Sequence, residues 1–197
     1  MTTQWPIRVG VSGAPGVGKT TLVHRLEEVF HEKKVCLSTE IARTLAGKGV
    51  RINRDSEWED YLAFLAFHVQ RTRTLEGDVI LFDRTLLDVL CFMELNGDAR
   101  GWLGTLVEEL VQWQMAHLSR YFYIPPEFEA APDGVRLIDP LTIGEFDSIL
   151  RRRLAQFRPD FVGLKGTLDE RVERAAREIA SLLVAQSTRP GSQSSYV

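Results

Sequence analysis

The stretch that most constrains this chain is Gly13-Ala14-Pro15-Gly16-Val17-Gly18-Lys19-Thr20. It fits the pattern G-x-x-x-x-G-K-[ST]. Ahead of it lies Ile7-Arg8-Val9-Gly10-Val11-Ser12, a short β-rich run. Behind it, from Thr20 to His31, the apolar Leu22, Val23, Leu26, Val29 and Phe30 recur at helical spacing. Strand, glycine-rich turn and helix in this order make an anion cradle. The glycines let backbone N–H groups turn toward phosphate oxygens, and the helix start adds the positive end of its dipole. Lys19 is spaced to reach β- and γ-phosphates, and the Thr20 hydroxyl to ligate Mg2+. Gly13, Ala14, Pro15, Gly16, Val17, Gly18, Lys19, Thr20 and the adjoining Thr21 are therefore the expected binding residues for ATP.

The rest of the chain alternates strand and helix signals. Strand-like runs occur at Val35–Thr39, Val79–Phe82, Arg120–Ile124 (stopped by Pro125-Pro126) and, more weakly, Phe161–Leu164. Helical spacing covers Arg54–Glu76, with Trp58, Tyr61, Leu62, Leu65 and Val69 on one face. It covers Leu86–Leu95 and Trp102–Leu118, separated by Asn96-Gly97, and then the arginine-rich Gly144–Phe157. A last helix opens on Thr167-Leu168-Asp169-Glu170, a capping-box pattern, with Glu170/Arg174 and Glu173/Arg177 at favourable spacing. This order predicts an α/β fold. A five-stranded parallel P-loop sheet in the order 2-3-1-4-5 is expected, with helices on both faces and a small arginine-bearing lid. One domain over 1–185 is expected, with the lid at about 126–158 and a polar tail over 186–197.

Composition narrows the function classes. With 24 basic against 27 acidic residues the chain lacks the basic excess of a duplex reader. No apolar stretch is long enough for a membrane span, and the start of the chain lacks the charged and apolar regions of a signal peptide. Cys36 and Cys91 both sit in apolar runs and are expected as buried, reduced thiols. A cytoplasmic protein is expected. His24, His31 and His117 are isolated on helices, and no Cys/His cluster has zinc-site spacing.

The class of P-loop protein is read after the third strand. A guanine-binding N-K-x-D is absent, and so is the acidic pair of AAA-type motors. The strand ends instead in Phe82-Asp83-Arg84, similar to nucleoside and nucleotide kinases. Asp83 would hold the metal with Thr20, and Arg84 would contact substrate or transferring phosphate. A structural ion pair is the competing reading. Ligands of open α/β sheets bind outside the carboxyl ends of the strands, so Glu40, after the second strand, is the candidate general base. Its competing role is a dipole-favoured helix start. Phe64, Phe67 and His68 form a second face of the long helix, either a stacking surface for a nucleoside or plain core. Arg151, Arg152, Arg153 and Arg158 are the densest basic cluster. Arg152 is the favoured lid arginine, against a solvated face or a nucleic-acid patch.

Three further segments carry a family resemblance: Glu40-Ile41-Ala42-Arg43, Pro132-Asp133-Gly134-Val135-Arg136, and Gly166 with Glu170-Arg171. With the loop, they resemble the nicotinamide riboside kinase domain of NadR-type proteins and related small AAA-type ATPase/kinase domains, from Ile7 to about Leu183. The resemblance implies that Arg43, Asp133 and Arg136 join Glu40 and Arg84 around the substrate. Two departures stand out: Thr39 replaces an aromatic before the glutamate, and Asp83-Arg84-Thr85 looks closer to deoxynucleoside and thymidylate kinases. The leading expectation is an ATP- and Mg2+-dependent kinase acting on a nucleoside- or nucleotide-like small molecule, compatible with a homodimer. Two alternatives stay open: a hydroxyl on DNA or RNA as acceptor, and an ATP-dependent switch with no acceptor.

Overall fold

Residues 5–39, 41–52, 55–127 and 140–188 are described by a computed structural model of the chain. Its strands are β1 (Ile7–Gly13), β2 (Val35–Ser38), β3 (Val79–Asp83), β4 (Arg120–Ile124) and β5 (Val162–Gly163). Its helices are α1 (Lys19–Val29), α2 (Ile41–Ala46), α3 (Trp58–Thr74), α4 (Leu86–Leu95), α5 (Gly101–His117), α6 (Pro140–Phe157) and α7 (Leu168–Ser187). The strands form one parallel sheet in the order β2-β3-β1-β4-β5, the expected topology.

Because side chains alternate along a strand, β3 and β4 supply both layers of core, and β1 supplies one. Ile7, Val9 and Val11 join Leu22 and Leu26 of α1 and Ile179 of α7 on one face. On the other face, Ile80 and Phe82 of β3 and Tyr121 and Tyr123 of β4 pack with helices α3 to α6. Each fully buried side chain of this kind contributes roughly 1.5–3 kcal/mol, which explains the unbroken apolar runs in β3 and β4. The register sets Val11 opposite Asp83 and Gly13 opposite Ile124. The ends of β1 and β3 therefore open on one sheet edge, beside the loop that follows Gly13.

Several boundaries move. Helix α3 begins at Trp58, where Glu57 and Asp60 form a reciprocal cap. Trp58 is 52% exposed and leaves the expected apolar stripe; Tyr61 and Leu65 are buried, Leu62 and Val69 pack partly buried against the same core, and His68 and Thr72 also turn inward. Helix α2 follows Glu40, as the helix-start reading of that residue implies, and its six residues with Ile41 and Leu45 inward are too few to show a period. Helix α6 starts at Pro140, not Gly144. Proline suits a first turn because its missing N–H has no intrahelical partner to lose. Helix α7 starts from the predicted Thr167 cap and runs through Gln186 and Ser187, which composition had assigned to the tail. Positions 128–139 of the expected lid lie outside the described residues. Cys91 is buried but Cys36 only partly so, and both are free thiols. No described helix is long and apolar enough to cross a membrane.

Gly13 tests this packing. A Cβ there would sit 2.5 Å from the Ile124 carbonyl oxygen of β4, and backbone cannot step aside as a side chain can. Gly13→Ala should destabilise the fold by about 1–3 kcal/mol, read as a lower midpoint in urea at unchanged slope. An unchanged midpoint would mean that β1 and β4 are less closely apposed.

Candidate active site

The glycine-rich loop is built for an anion. Gly16 and Gly18 take φ of 82° and 89°, a left-handed backbone that residues with a Cβ adopt only at a cost. Gly18 is also the N-cap of α1 and brings no side chain to cover its first turn, leaving the positive helix end facing the loop. Lys19 is 5% exposed and donates from Nζ to the carbonyls of Gly13 at 2.8 Å and Ala14 at 2.7 Å. Its ammonium is thus held inside the loop. Thr20 donates from Oγ1 to Oδ2 of Asp83 at 2.5 Å. The structure therefore brings together Lys19, Thr20 and Asp83.

Asp83 and Arg84 do not pair with each other. Asp83 turns to Thr20, and the Arg84 guanidinium lies 3.2 Å from Oδ1 of Asp88 and 5.5 Å over the Phe92 ring. Arg84 has φ of 79°, unlike any other non-glycine residue among those described. Such a backbone costs of order 1 kcal/mol or more and concentrates at functional sites. Its amide bonds the Val11 carbonyl at 3.0 Å, which fixes the side chain at the mouth of the β1–β3 edge. Asp88, 1% exposed, has its other oxygen filled by Ser12 Oγ and by the amide and hydroxyl of Thr85. The Tyr121 hydroxyl joins Ser12 at 2.6 Å to Thr85 at 2.9 Å, and burial pushes that phenol well up. Asp88, Ser12 and Tyr121 were not anticipated. The Thr85-Leu86-Leu87-Asp88 capping pattern is the signal that marks Asp88.

Beside Arg84 lies a cavity lined by Tyr61, Phe64, His68, Asp88 and Phe92, with Ile41 and Ala42 of α2. Phe64 and His68 thus face a space and are not plain core. Phe67 instead lies under the Arg71 guanidinium, 5.1 Å from ring centre to cation. His68 is 2% exposed and its Nδ1 has no hydrogen-bond partner. Burial, aided by the charge of Arg84, pulls its pKa down to about 3, so the imidazole is neutral.

Arg152 is not brought to the loop. It and Arg153 hold Glu94 of α4, with Arg153 also reaching Glu108, while Arg158 pairs with Asp160. Helical rotation decides this. Arg151, one turn after Asp147, is the member of the triplet whose charge acts on Asp147 and Tyr123. Those two are joined at 2.6 Å from the Tyr123 hydroxyl to the carboxyl group. Burial pushes Asp147 up. Arg43 is exposed on α2, next to the cavity-lining Ala42. Glu40, Asp133 and Arg136 lie outside the described residues. Arg171, buried, spans the fold to donate to the Val17 carbonyl of the loop at 3.0 Å and to Glu127 at 3.2 Å. Glu170 completes the Thr167 cap. The Gly166…Glu170-Arg171 segment thus starts α7 and braces the phosphate loop.

Residues 8–171 match the model of a family described as AAA domain. No curated protein sequence matches the chain. Among solved structures it is similar to a NadR protein in complex with NR, at 21% identity and a TM-score of 0.69, covering 97% of this chain and 54% of that one. The chain thus spans about half the length of that NadR protein. A deoxyadenosine kinase from M. mycoides matches at 15% identity and TM-score 0.62, over 89% of this chain and 100% of that one. A thymidylate kinase from Candida albicans matches at 13% identity and TM-score 0.60, over 90% and 92%. The fold is that of P-loop nucleoside and nucleotide kinases.

The buried neutral imidazole has a pH signature. His68 titrates far lower in the fold than the usual 6.5 of a free imidazole. The unfolded chain therefore binds the extra proton first. The stability that the neutral form contributes is complete above about pH 6.5 and is lost as pH falls toward about 3. Relative to His68→Leu, the wild type should lose up to about 1.4 kcal/mol per pH unit on acidification below pH 6. Parallel stability curves for the two proteins between pH 7 and pH 4 would show that His68 is not buried neutral.

Proposed function

We propose that this chain, which belongs to the AAA domain family, is an ATP- and Mg2+-dependent phosphotransferase. Its acceptor is a hydroxyl of a nucleoside- or nucleotide-like small molecule. The observation that carries this is the position of the Thr20–Asp83 contact and the Lys19 ammonium at the same β1–β3 edge as the aromatic cavity. A phosphate cradle and an aromatic-lined recess side by side are what transfer between a nucleotide and a small acceptor requires.

The chain's own groups fit the parts of the reaction. Loop amides and Lys19 hold the ATP phosphates and stabilise charge as it builds on the transferring group. The Thr20 hydroxyl and Asp83 carboxylate are the hard oxygen donors that suit Mg2+. Such an ion takes its other ligands from water and phosphate. When bound, Mg2+ supplies neutralisation of phosphate charge. Arg84 binds the acceptor or the moving phosphoryl group, and Arg43, Asp133 and Arg136 are assigned to the substrate side. Glu40 orients the acceptor hydroxyl and takes its proton as the oxygen attacks the γ-phosphorus and the bond to ADP breaks. The lid role passes from Arg152 to Arg151, since Arg152 is committed to Glu94.

ADP release is measured against a panel of nucleosides, nucleoside monophosphates and DNA, with products identified by mass. One small acceptor should stimulate release and appear phosphorylated. Glu40→Gln should lower that turnover by about 10²-fold or more while ATP affinity holds. Stimulation by DNA alone would move the hydroxyl to a polymer, and ATP hydrolysis with no phosphorylated product would make the protein a switch.

A further inference from the structure

The recess beside Arg84 has a chemistry of its own. Its ring-bearing walls are Tyr61, Phe64 and Phe92, and its charged lining among the described residues is Arg84 and Asp88. Asp88 cannot serve a ligand as a free anion. Both of its oxygens are engaged, by Arg84, Ser12 and Thr85. Arg84 already occupies the cation-binding face of Phe92. A positively charged ring entering here would meet a guanidinium and no uncommitted carboxylate among the described lining residues.

Two other polar groups of the wall are engaged: Ser56 donates to the Arg51 carbonyl, and the Tyr61 hydroxyl donates to Asp98 and accepts from Asn96, which leaves His68. It is 2% exposed, it lines the cavity, and its Nδ1 has no partner. An unmet buried polar atom is costly, and in native structures such atoms call for an explanation. The cavity measures about 50 Å3, against about 150 Å3 for a cavity that takes benzene. A ring enters only as its walls shift, and a single ring asks less of them than a fused pair.

We infer that this recess selects an uncharged, single-ring base, with His68 as the specificity-determining residue that meets the polar edge of that base. The inference rests on the proposed acceptor class and deepens it. It separates this chain from a kinase built for a cationic pyridinium nucleoside. A neutral imidazole carries one donor and one acceptor nitrogen, so it can meet a carbonyl or an amide N–H on the edge of a base, whereas a cationic ring, whatever hydrogen bond it makes, is repelled by Arg84.

Binding is measured by calorimetry on the full chain with ADP and Mg2+ present. The ligands are uridine, thymidine and cytidine, adenosine, and the matched pair nicotinamide riboside and its reduced, uncharged form, each also as the 5′-monophosphate. The reduced form should bind at least about tenfold more tightly than the cation, since like-charge contact is strongly unfavourable. At least one pyrimidine should bind more tightly than adenosine. His68→Leu should weaken the preferred ligand about tenfold or more and raise KM more than it lowers kcat, without lowering Tm. His68→Gln, which keeps a donor and an acceptor, should recover part of the affinity. Equal or tighter binding of the cation, tighter binding of adenosine, or unchanged affinity in His68→Leu would each overturn the inference. The expected selectivity with no phosphorylated product would uphold the recess assignment and overturn phosphotransfer instead.

Discussion

The buried carboxylate of Asp88 is the interaction on which the site depends. One group ties four parts of the fold together. It takes the Ser12 hydroxyl at the end of β1, the Thr85 amide and hydroxyl that begin α4, and the Arg84 guanidinium. Through the Tyr121 hydroxyl, β4 is joined to the same cluster. A carboxylate 1% exposed is tolerable only because every oxygen has donors. The consequence is positional. Ser12 immediately precedes the glycine-rich loop and Arg84 immediately follows Asp83, so one buried anion sets the loop, Asp83 and Arg84 in a common frame.

That frame explains why the strand ends matter more than the helices between them. Parallel register puts Val11 beside Asp83, and the Arg84 amide then bonds the Val11 carbonyl. This extra bond beyond the regular ladder helps hold Arg84 in a backbone region that its side chain disfavours. A second brace comes from far along the chain, where Arg171 of α7 holds the Val17 carbonyl from the other side. The loop is thus fixed from both layers of the molecule, while its inner surface is left to the Lys19 ammonium and the uncapped start of α1.

How much of this was legible follows from the range of each interaction. The loop, the strand before it and the helix after it are contiguous, and their chemistry is written in adjacent letters. So are the Thr167–Glu170 cap and the continuous apolar runs of β3 and β4. The pairing of Thr20 with Asp83 could be reasoned from topology, because Asp83 ends β3 and Thr20 opens the helix that follows its parallel neighbour β1. Arg171 could not be placed by spacing, since its partner Val17 is 154 residues away. Nor could the partner of Arg152 be read from spacing. Adjacent helical residues differ by about 100° in direction, and only the packing of α6 against α4 shows that Arg152 meets Glu94. The short α2 left no period to read, and the inward stripe of α3 was misjudged by one aromatic, Trp58.

Two local costs sit on the same recess. Arg84 holds a left-handed backbone, and His68 holds a buried ring with an unmet nitrogen. Marginally stable proteins keep such costs where function requires a geometry that stability alone would discard. The two residues are linked in another way. The Arg84 charge helps keep His68 unprotonated, so the same guanidinium that repels a cationic ring also preserves the imidazole as both donor and acceptor. Selection by charge and selection by hydrogen bonding are therefore one device, anchored through Asp88 to the loop where the phosphate is held.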